Sequence, residues 1–216
     1  MTVAPHIVLV HGLTRSPIDM FLLERRLRTH FPSGRICRFG YRSRKLSLHE
    51  ATEQLSRFVH SITTTDPVSF VGHSLGGILV RSLDASGSCK TPLHRLVTLG
   101  SPHGGAKMAR IAGRYAIPRA VCGPVLHDLA TLALPPEPEQ LEIGCLVGAT
   151  HTRFGLLPFL GEDNDGLVCV REAHLASSRA AKELVMFHAL FPFSGRAAEL
   201  SARFLEHGSF DTESAA

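Results

Sequence analysis

In Phe70-Val71-Gly72-His73-Ser74-Leu75-Gly76-Gly77 a β-prone run meets a helical one at a single serine. Val68, Phe70 and Val71 follow Pro67 as a short strand-forming stretch. Leu75, Ile78, Leu79 and Leu83 then recur at helical spacing. Gly72-His73-Ser74-Leu75-Gly76 fits the pattern G-x-S-x-G, in which a strand breaks at a strained turn and passes straight into a helix. A serine at such a turn stands clear of the sheet in an unfavourable backbone conformation. Glycines two positions to either side let strand and helix close around it. The new helix aims unpaired N–H groups and its positive dipole end at the place where negative charge would develop.

The sequence on either side of this stretch has the period of an α/β domain. His6-Ile7-Val8-Leu9-Val10 is a continuous apolar run, as expected of a strand buried on both faces of a parallel sheet, and it ends at His11-Gly12-Leu13-Thr14. Met20, Leu23, Leu27 and Phe31 predict a helix after Pro17, stopped by Pro32-Ser33-Gly34. A second strand is expected from Arg35 to Tyr41. Ser47 and Glu50 form a capping-box pair ahead of Leu48, Ala51, Leu55, Phe58, Val59 and Ile62. Beyond the serine, strands are expected at Leu93–Leu99, Leu141–Val147 and Leu184–Phe187. Val121, Val125, Leu126, Leu129 and Leu132 predict short helices, and Pro135-Pro136-Glu137-Pro138 a surface loop. A terminal helix places Ala197, Leu200, Phe204 and Leu205 inward. Strands alternating with helices predict a mostly parallel, doubly wound sheet with helices on both faces. Ligands of such sheets bind at the carboxyl ends of the strands, where His11, Ser74, Ser101 and His188 all fall.

Composition narrows the class. The 216 residues, 44% hydrophobic, suffice for one domain over 1–216 with a sizeable core. A formal charge of +4 is mild. Arg25-Arg26-Leu27-Arg28 and Arg42-Ser43-Arg44-Lys45 are the dense basic runs, read as solvated faces. No aromatic residues interleave with them, so no nucleic-acid partner is expected. Cys37, Cys89, Cys122, Cys145 and Cys169 are odd in number and contain no C-x-x-C pair, which argues for free thiols and against a zinc site. Met1–Pro5 lacks the features of a signal peptide, and Ile7–Val10 is far too short to span a bilayer. A cytoplasmic chain without stable membrane insertion is the expectation.

A serine hydroxyl becomes a nucleophile only when a base takes its proton, and that base needs an orienting partner. Among 13 histidines, His188 lies between the last strand and the last helix, at the sheet edge that carries Ser74. His174 is the alternative base. His73, next to the serine on an extended strand, points to the opposite face. For the orienting acid, Asp165 in Glu162-Asp163-Asn164-Asp165-Gly166-Leu167-Val168 follows a strand and precedes a turn-forming glycine. Asp163 is its near neighbour, and a solvated turn or calcium loop is the competing reading of this cluster. Ser74, Asp165 and His188 run in the order Ser…Asp…His. Leu75 N–H and Leu13 N–H are the expected oxyanion donors.

With these residues assembled, the chain resembles the lipases and esterases of the α/β-hydrolase family. His11-Gly12 is similar to the family's oxyanion loop, Gly72–Gly77 to its serine elbow, and Asn164-Asp165-Gly166-Leu167-Val168 to the segment that carries the acid in bacterial triacylglycerol lipases. His188 matches the usual position of the base. The resemblance implies a single-domain α/β-hydrolase fold with a minimal cap. It also implies ester hydrolysis through an acyl-enzyme, a small-molecule ester or lipid substrate, and no cofactor. Gly100-Ser101-Pro102-His103-Gly104-Gly105 also resembles a lipase segment, so Ser101 is expected to line the site together with His11, Gly12 and His73. Cap or flap segments are expected within 106–138 and 152–162, with Leu157 and Phe159 walling an acyl pocket or, alternatively, packing as ordinary core. A thioesterase, amidase or acyltransferase would share the triad. A non-catalytic binding protein of the same fold would need none of the three residues.

Overall fold

The computed structural model describes residues 5–131, 138 and 140–211. Six strands, β1 (His6–Val10), β2 (Arg35–Phe39), β3 (Val68–His73), β4 (Leu93–Leu99), β5 (Glu142–Ala149) and β6 (Ala180–Val185), form one sheet in the order β2-β1-β3-β4-β5-β6. Every neighbouring pair is parallel. The chain is thus the expected doubly wound α/β domain, and its order reverses at β1, beside the strand that carries the serine.

Two apolar layers sandwich the sheet. On one face α2 (Leu48–Ile62) and α3 (Leu75–Ser86) pack Ala51, Leu55, Val59, Leu79 and Leu83 over Val8, Val10, Val68 and Phe70. On the other, α1 (Phe21–His30) and α8 (Gly195–His207) pack Leu23, Leu27, Leu200 and Phe204 over Ile7, Leu9, Val71, Val97 and Leu146. Alternate residues of β1 and β3 serve opposite layers, which is why those strands read as unbroken apolar runs. The capping box of α2 is present: Ser47 Oγ accepts from Glu50 N–H, and Glu50 Oε2 accepts from Ser47 N–H at 2.8 Å.

The ends of several elements differ from the sequence expectation. The last strand runs Ala180–Val185, not Leu184–Phe187. It is an edge strand whose residues alternate between half-buried and exposed, so an apolar-run criterion finds only its end. Similarly, β2 stops at Phe39, and Tyr41 turns inward beyond it. The strand expected at Leu141–Val147 is shifted to Glu142–Ala149. The first helix opens with a 3-10 turn over Pro17–Met20. The segment after β4 folds into α4 (Lys107–Ala112), α5 (Ala116–Cys122) and α6 (Pro124–Thr131), with Val125, Leu126 and Leu129 buried and Val121 exposed. α7 is the single turn Val170–Ala173. Leu132 and Pro135-Pro136-Glu137 lie outside the described residues. Among the described residues no helix is long and apolar enough to cross a membrane.

Candidate active site

β3 passes into α3 at Ser74 with no intervening residue, and Ser74 adopts φ 53° and ψ −121°. That left-handed backbone costs on the order of 1–3 kcal/mol and persists only because the surroundings hold it. Two backbone bonds do so: Ser74 N–H donates to Leu99 O at 3.0 Å, and Gly77 N–H donates to Ser74 O at 3.1 Å. A Cβ on Gly72 would come within 2.5 Å of Gly77 N, and one on Gly76 would run into the Val10 carbonyl oxygen. Glycine at both places is a condition of the bend.

Asp165 and His188 meet at the neighbouring strand ends. His188 Nδ1 lies 2.8 Å from Asp165 Oδ2, and His188 N–H donates to the Asp165 carbonyl at 2.9 Å. The other carboxylate oxygen accepts from Leu167 N–H at 3.0 Å and Val168 N–H at 2.8 Å. With its acceptors occupied and its side chain buried, Asp165 fixes the tautomer with the proton on Nδ1, which leaves Nε2 of His188 as the ring nitrogen able to accept a proton. Among the described residues Ser74 Oγ is in no hydrogen bond, and Ser74 lines an apolar cavity. Leu75 N–H is the first of its helix and has no intrahelical partner. Leu13, on the loop after β1, lines the same cavity.

The neighbouring polar residues have structural work. Asp163 does not touch His188; it accepts from Thr150 N–H, His151 N–H and Asn164 N–H and ties the acid loop to the end of β5. His174 is paired with Glu183 at 3.1 Å, away from the site. Among the described residues no group of three or more acidic, histidine or cysteine side chains could hold a metal ion.

His73 is buried beneath the site instead of lining it. Its ring lies 4.9 Å from that of His188, and its Nε2 donates to the His188 carbonyl at 3.0 Å. Because that carbonyl can only accept, Nε2 carries the proton. Burial first, and the His188 charge second, hold the His73 pKa down at about 3. His11 is likewise buried, stacked on Tyr41 at 4.4 Å. Ser101 is buried too, and Gly12 packs its backbone against the Ser74 Cβ; none of these four contributes to the cavity wall. Leu157 and Phe159 are absent from it as well: Phe159 is 61% exposed and Leu157 sits in a loop organised by Asn164. Asn164 accepts from Leu157 N–H and Gly166 N–H and donates to Phe154 O and Glu162 O, which stiffens the segment ahead of Asp165.

The cavity wall comes from the other segment, α4 to α6. Ala106, Ala109, Ala112, Leu126 and Leu129 enclose about 240 Å³ together with Leu13, Ser74, Leu167 and Val168. This wall is hung on Glu172, a buried carboxylate that accepts from Lys107 N–H at 2.6 Å and Cys169 N–H at 3.2 Å. Burial, reinforced by Glu172, pushes the Cys169 thiol up to about 12, so it stays protonated and inert. His103 joins Arg81 to Thr98: its Nδ1 accepts from Arg81 Nη1 at 3.2 Å and its Nε2 donates to Thr98 Oγ1 at 3.1 Å. Burial, then the Arg81 charge, hold the His103 pKa at about 3. Sequence alone offered no signal for Glu172, Asn164 or His103, because each acts through partners distant in the chain or through backbone groups.

Two neutral buried histidines have a consequence for acid stability. Both folded pKa values lie below the unfolded value near 6.5, so between about pH 6.5 and 3 the unfolded chain binds protons that the native state does not. The stabilisation is complete above pH 6.5 and is lost on acidification, at about 1.4 kcal/mol per pH unit for each histidine. Urea unfolding at pH 7, 6 and 5 is expected to show this slope, and His103→Gln to reduce it. An unfolding free energy that is flat between pH 6.5 and 5 would contradict it.

The mature-form lipase BlEst2 of Bacillus licheniformis has a similar structure, 20% identical over 95% of this chain and 92% of that one, with a TM-score of 0.73. The metagenomic carboxyl esterase MGS0156 is 17% identical over 96% of this chain and 77% of its own, with a TM-score of 0.64. Polyneuridine aldehyde esterase is 10% identical over 94% and 100%, at a TM-score of 0.63. At these identities the likeness is one of fold, and the fold is that of the α/β-hydrolases. No curated protein matches the sequence. The family model of palmitoyl protein thioesterase matches residues 6–133, from β1 through α6, a span that includes the serine elbow, the loop after β1 and the helices of the cavity wall. With more than half its length so matched, the chain belongs to the palmitoyl protein thioesterase family.

Proposed function

We propose that this protein is a serine acyl hydrolase that cleaves carboxylic esters or thioesters through an acyl-enzyme. Ser74 Oγ attacks the acyl carbonyl carbon while His188 Nε2 takes its proton. The oxyanion faces the N–H groups of Leu13 and Leu75. Collapse of the tetrahedral adduct expels the alkoxide or thiolate, which takes the proton from His188. Water then repeats the sequence on the acyl-enzyme and releases the carboxylic acid. Asp165 orients the imidazole and offsets its charge when protonated.

The observation that carries this reading is the 2.8 Å Asp165–His188 pair, which lies at the strand ends as Ser74 does, together with the strained Ser74 backbone and the apolar cavity that Ser74 lines. A binding module has no use for that pair. The family model favours a thioester, while the lipase and the carboxyl esterase among the structural neighbours favour esters. At about 240 Å³ the cavity is below the roughly 300–1,000 Å³ of drug-sized pockets, which suits a short or medium acyl chain better than a long one.

The test is a panel of p-nitrophenyl esters and neutral N-acetylcysteamine thioesters from two to sixteen acyl carbons, with anilides as the amide arm. Turnover is expected to peak at intermediate chain length and to be weakest on the anilides. Failure to hydrolyse any member would overturn the assignment.

A further inference from the structure

The basic run Arg42-Ser43-Arg44-Lys45 has no part in the acyl chemistry, yet it lies against it. Residues of this run, with Thr14, Arg15, Ser16 and Asp19, bound a second cavity of about 550 Å³. Four cations, Arg15, Arg42, Arg44 and Lys45, face it against one carboxylate, Asp19, which is taken up by Arg15 at 3.2 Å and by Ser16 N–H at 2.8 Å. Among the described residues no carboxylate comes within ion-pair distance of Arg42, Arg44 or Lys45. A net charge of about +3, out of +4 for the whole chain, therefore gathers in one concavity. Like charges held together repel one another, and a concave arrangement focuses their field on an anion.

This groove is joined to the acyl site. Thr14 lines both cavities. Its N–H donates to Ser43 Oγ at 3.1 Å, and Tyr41 OH donates to the His11 carbonyl at 2.9 Å. Thr14 itself sits at φ 57°, left-handed backbone that a threonine adopts only when held. The loop that carries Leu13 is thus braced by Tyr41 and Ser43, and Thr14 stands between the two cavities.

The geometry points to a subsite for phosphate on the leaving group, so that the substrate is an acyl ester or thioester whose alcohol or thiol bears a phosphate. The acyl chain occupies the apolar cavity, and the phosphate lies among Arg42, Arg44 and Lys45, where guanidinium groups match its oxygens in pairs. This inference rests on the acyl-hydrolase reading. Two sources supply that chemistry: a glycerophosphate lipid and a phosphorylated thiol such as coenzyme A.

Three octanoyl substrates separate the possibilities: p-nitrophenyl octanoate, 1-octanoyl-glycerol 3-phosphate and octanoyl-coenzyme A. They are assayed with the wild type and with the combined variant Arg42→Gln, Arg44→Gln, Lys45→Gln, all at exposed positions. The expected result is a KM raised about tenfold on the phosphorylated substrate that the wild type prefers, with the neutral ester unchanged within about twofold. Raising the salt concentration is expected to weaken the wild type in the same selective way. The preferred phosphorylated substrate then identifies the source. Equal loss on all three substrates, or no loss on any, would overturn the subsite. If the wild type hydrolyses none of the three, the acyl-hydrolase reading itself fails. The groove is then judged by calorimetric titration with coenzyme A and with glycerol 3-phosphate. Binding that the triple variant loses supports the groove as an anion site, and absence of wild-type binding overturns it.

Discussion

Ser74→Ala is expected to abolish acyl turnover, lowering kcat by at least about 10⁴-fold, while the protein melts within a few degrees of the wild type. The two halves of this expectation come from different features. The hydroxyl is in no hydrogen bond among the described residues, so its removal orphans no buried partner and opens no core cavity. The elbow is held by the backbone bonds of Ser74 to Leu99 and Gly77, which alanine keeps. Only the chemistry loses its nucleophile. Parallel kinetics and differential scanning calorimetry check both halves. A variant that retains a tenth of wild-type turnover would place the nucleophile elsewhere, whereas loss of activity together with the melting transition would leave Ser74 a structural residue.

Gly76→Ala is expected to prevent stable folding. The added methyl would run into the Val10 carbonyl oxygen at the end of β1 and press on that of His11, the next residue. Neither can turn aside as a side chain would, so α3 must lift off the sheet. That separates Leu75 and Leu79 from their packing over Val8 and Val10. The cost exceeds the roughly 4 kcal/mol that marks exceptional single substitutions, against a total stability of about 5–15 kcal/mol for a domain. Far-UV circular dichroism and urea unfolding of the purified variant check this. A variant with a wild-type transition midpoint would mean that the elbow and β1 leave room for a methyl group.

The two variants also show why parts of this molecule were legible in its sequence and parts were not. Features encoded in local spacing were plain: the G-x-S-x-G bend, the Ser47/Glu50 capping box, and the apolar runs of strands buried on both faces. Asp165 and His188 were singled out by chain order at strand ends, and the fold brings them to 2.8 Å; their roles await the experiments above. Of the two segments expected to form a cap, only the α4–α6 segment walls the apolar cavity that Ser74 lines; Leu157 and Phe159 do not. Leu157 and Phe159 looked like wall residues because they are apolar and precede Asp165, but an apolar run does not say which way it faces. The alanines of α4, small and weakly patterned, form the wall instead. The structural roles of His73, His103, Asn164 and Glu172 were not legible. His73 bonds a carbonyl 115 residues away and His103 a guanidinium 22 residues away, Asn164 organises backbone groups of its own loop, and Glu172 joins the N–H of Lys107 to that of Cys169; no short motif records such bonds. The edge strand β6 was clipped because its alternation follows from exposure on one face, whereas the apolar-run criterion suits only fully buried strands.

Everything proposed about activity depends on Ser74 being an activated nucleophile under the control of His188 and Asp165. The most direct measurement is intact-mass and peptide spectrometry of the folded protein after brief exposure to a fluorophosphonate. The account predicts one phosphonyl adduct per chain, carried by the peptide that contains Ser74, absent from Ser74→Ala and greatly slowed in His188→Ala. An unmodified wild-type chain that is demonstrably folded, or an adduct on another residue, would contradict it.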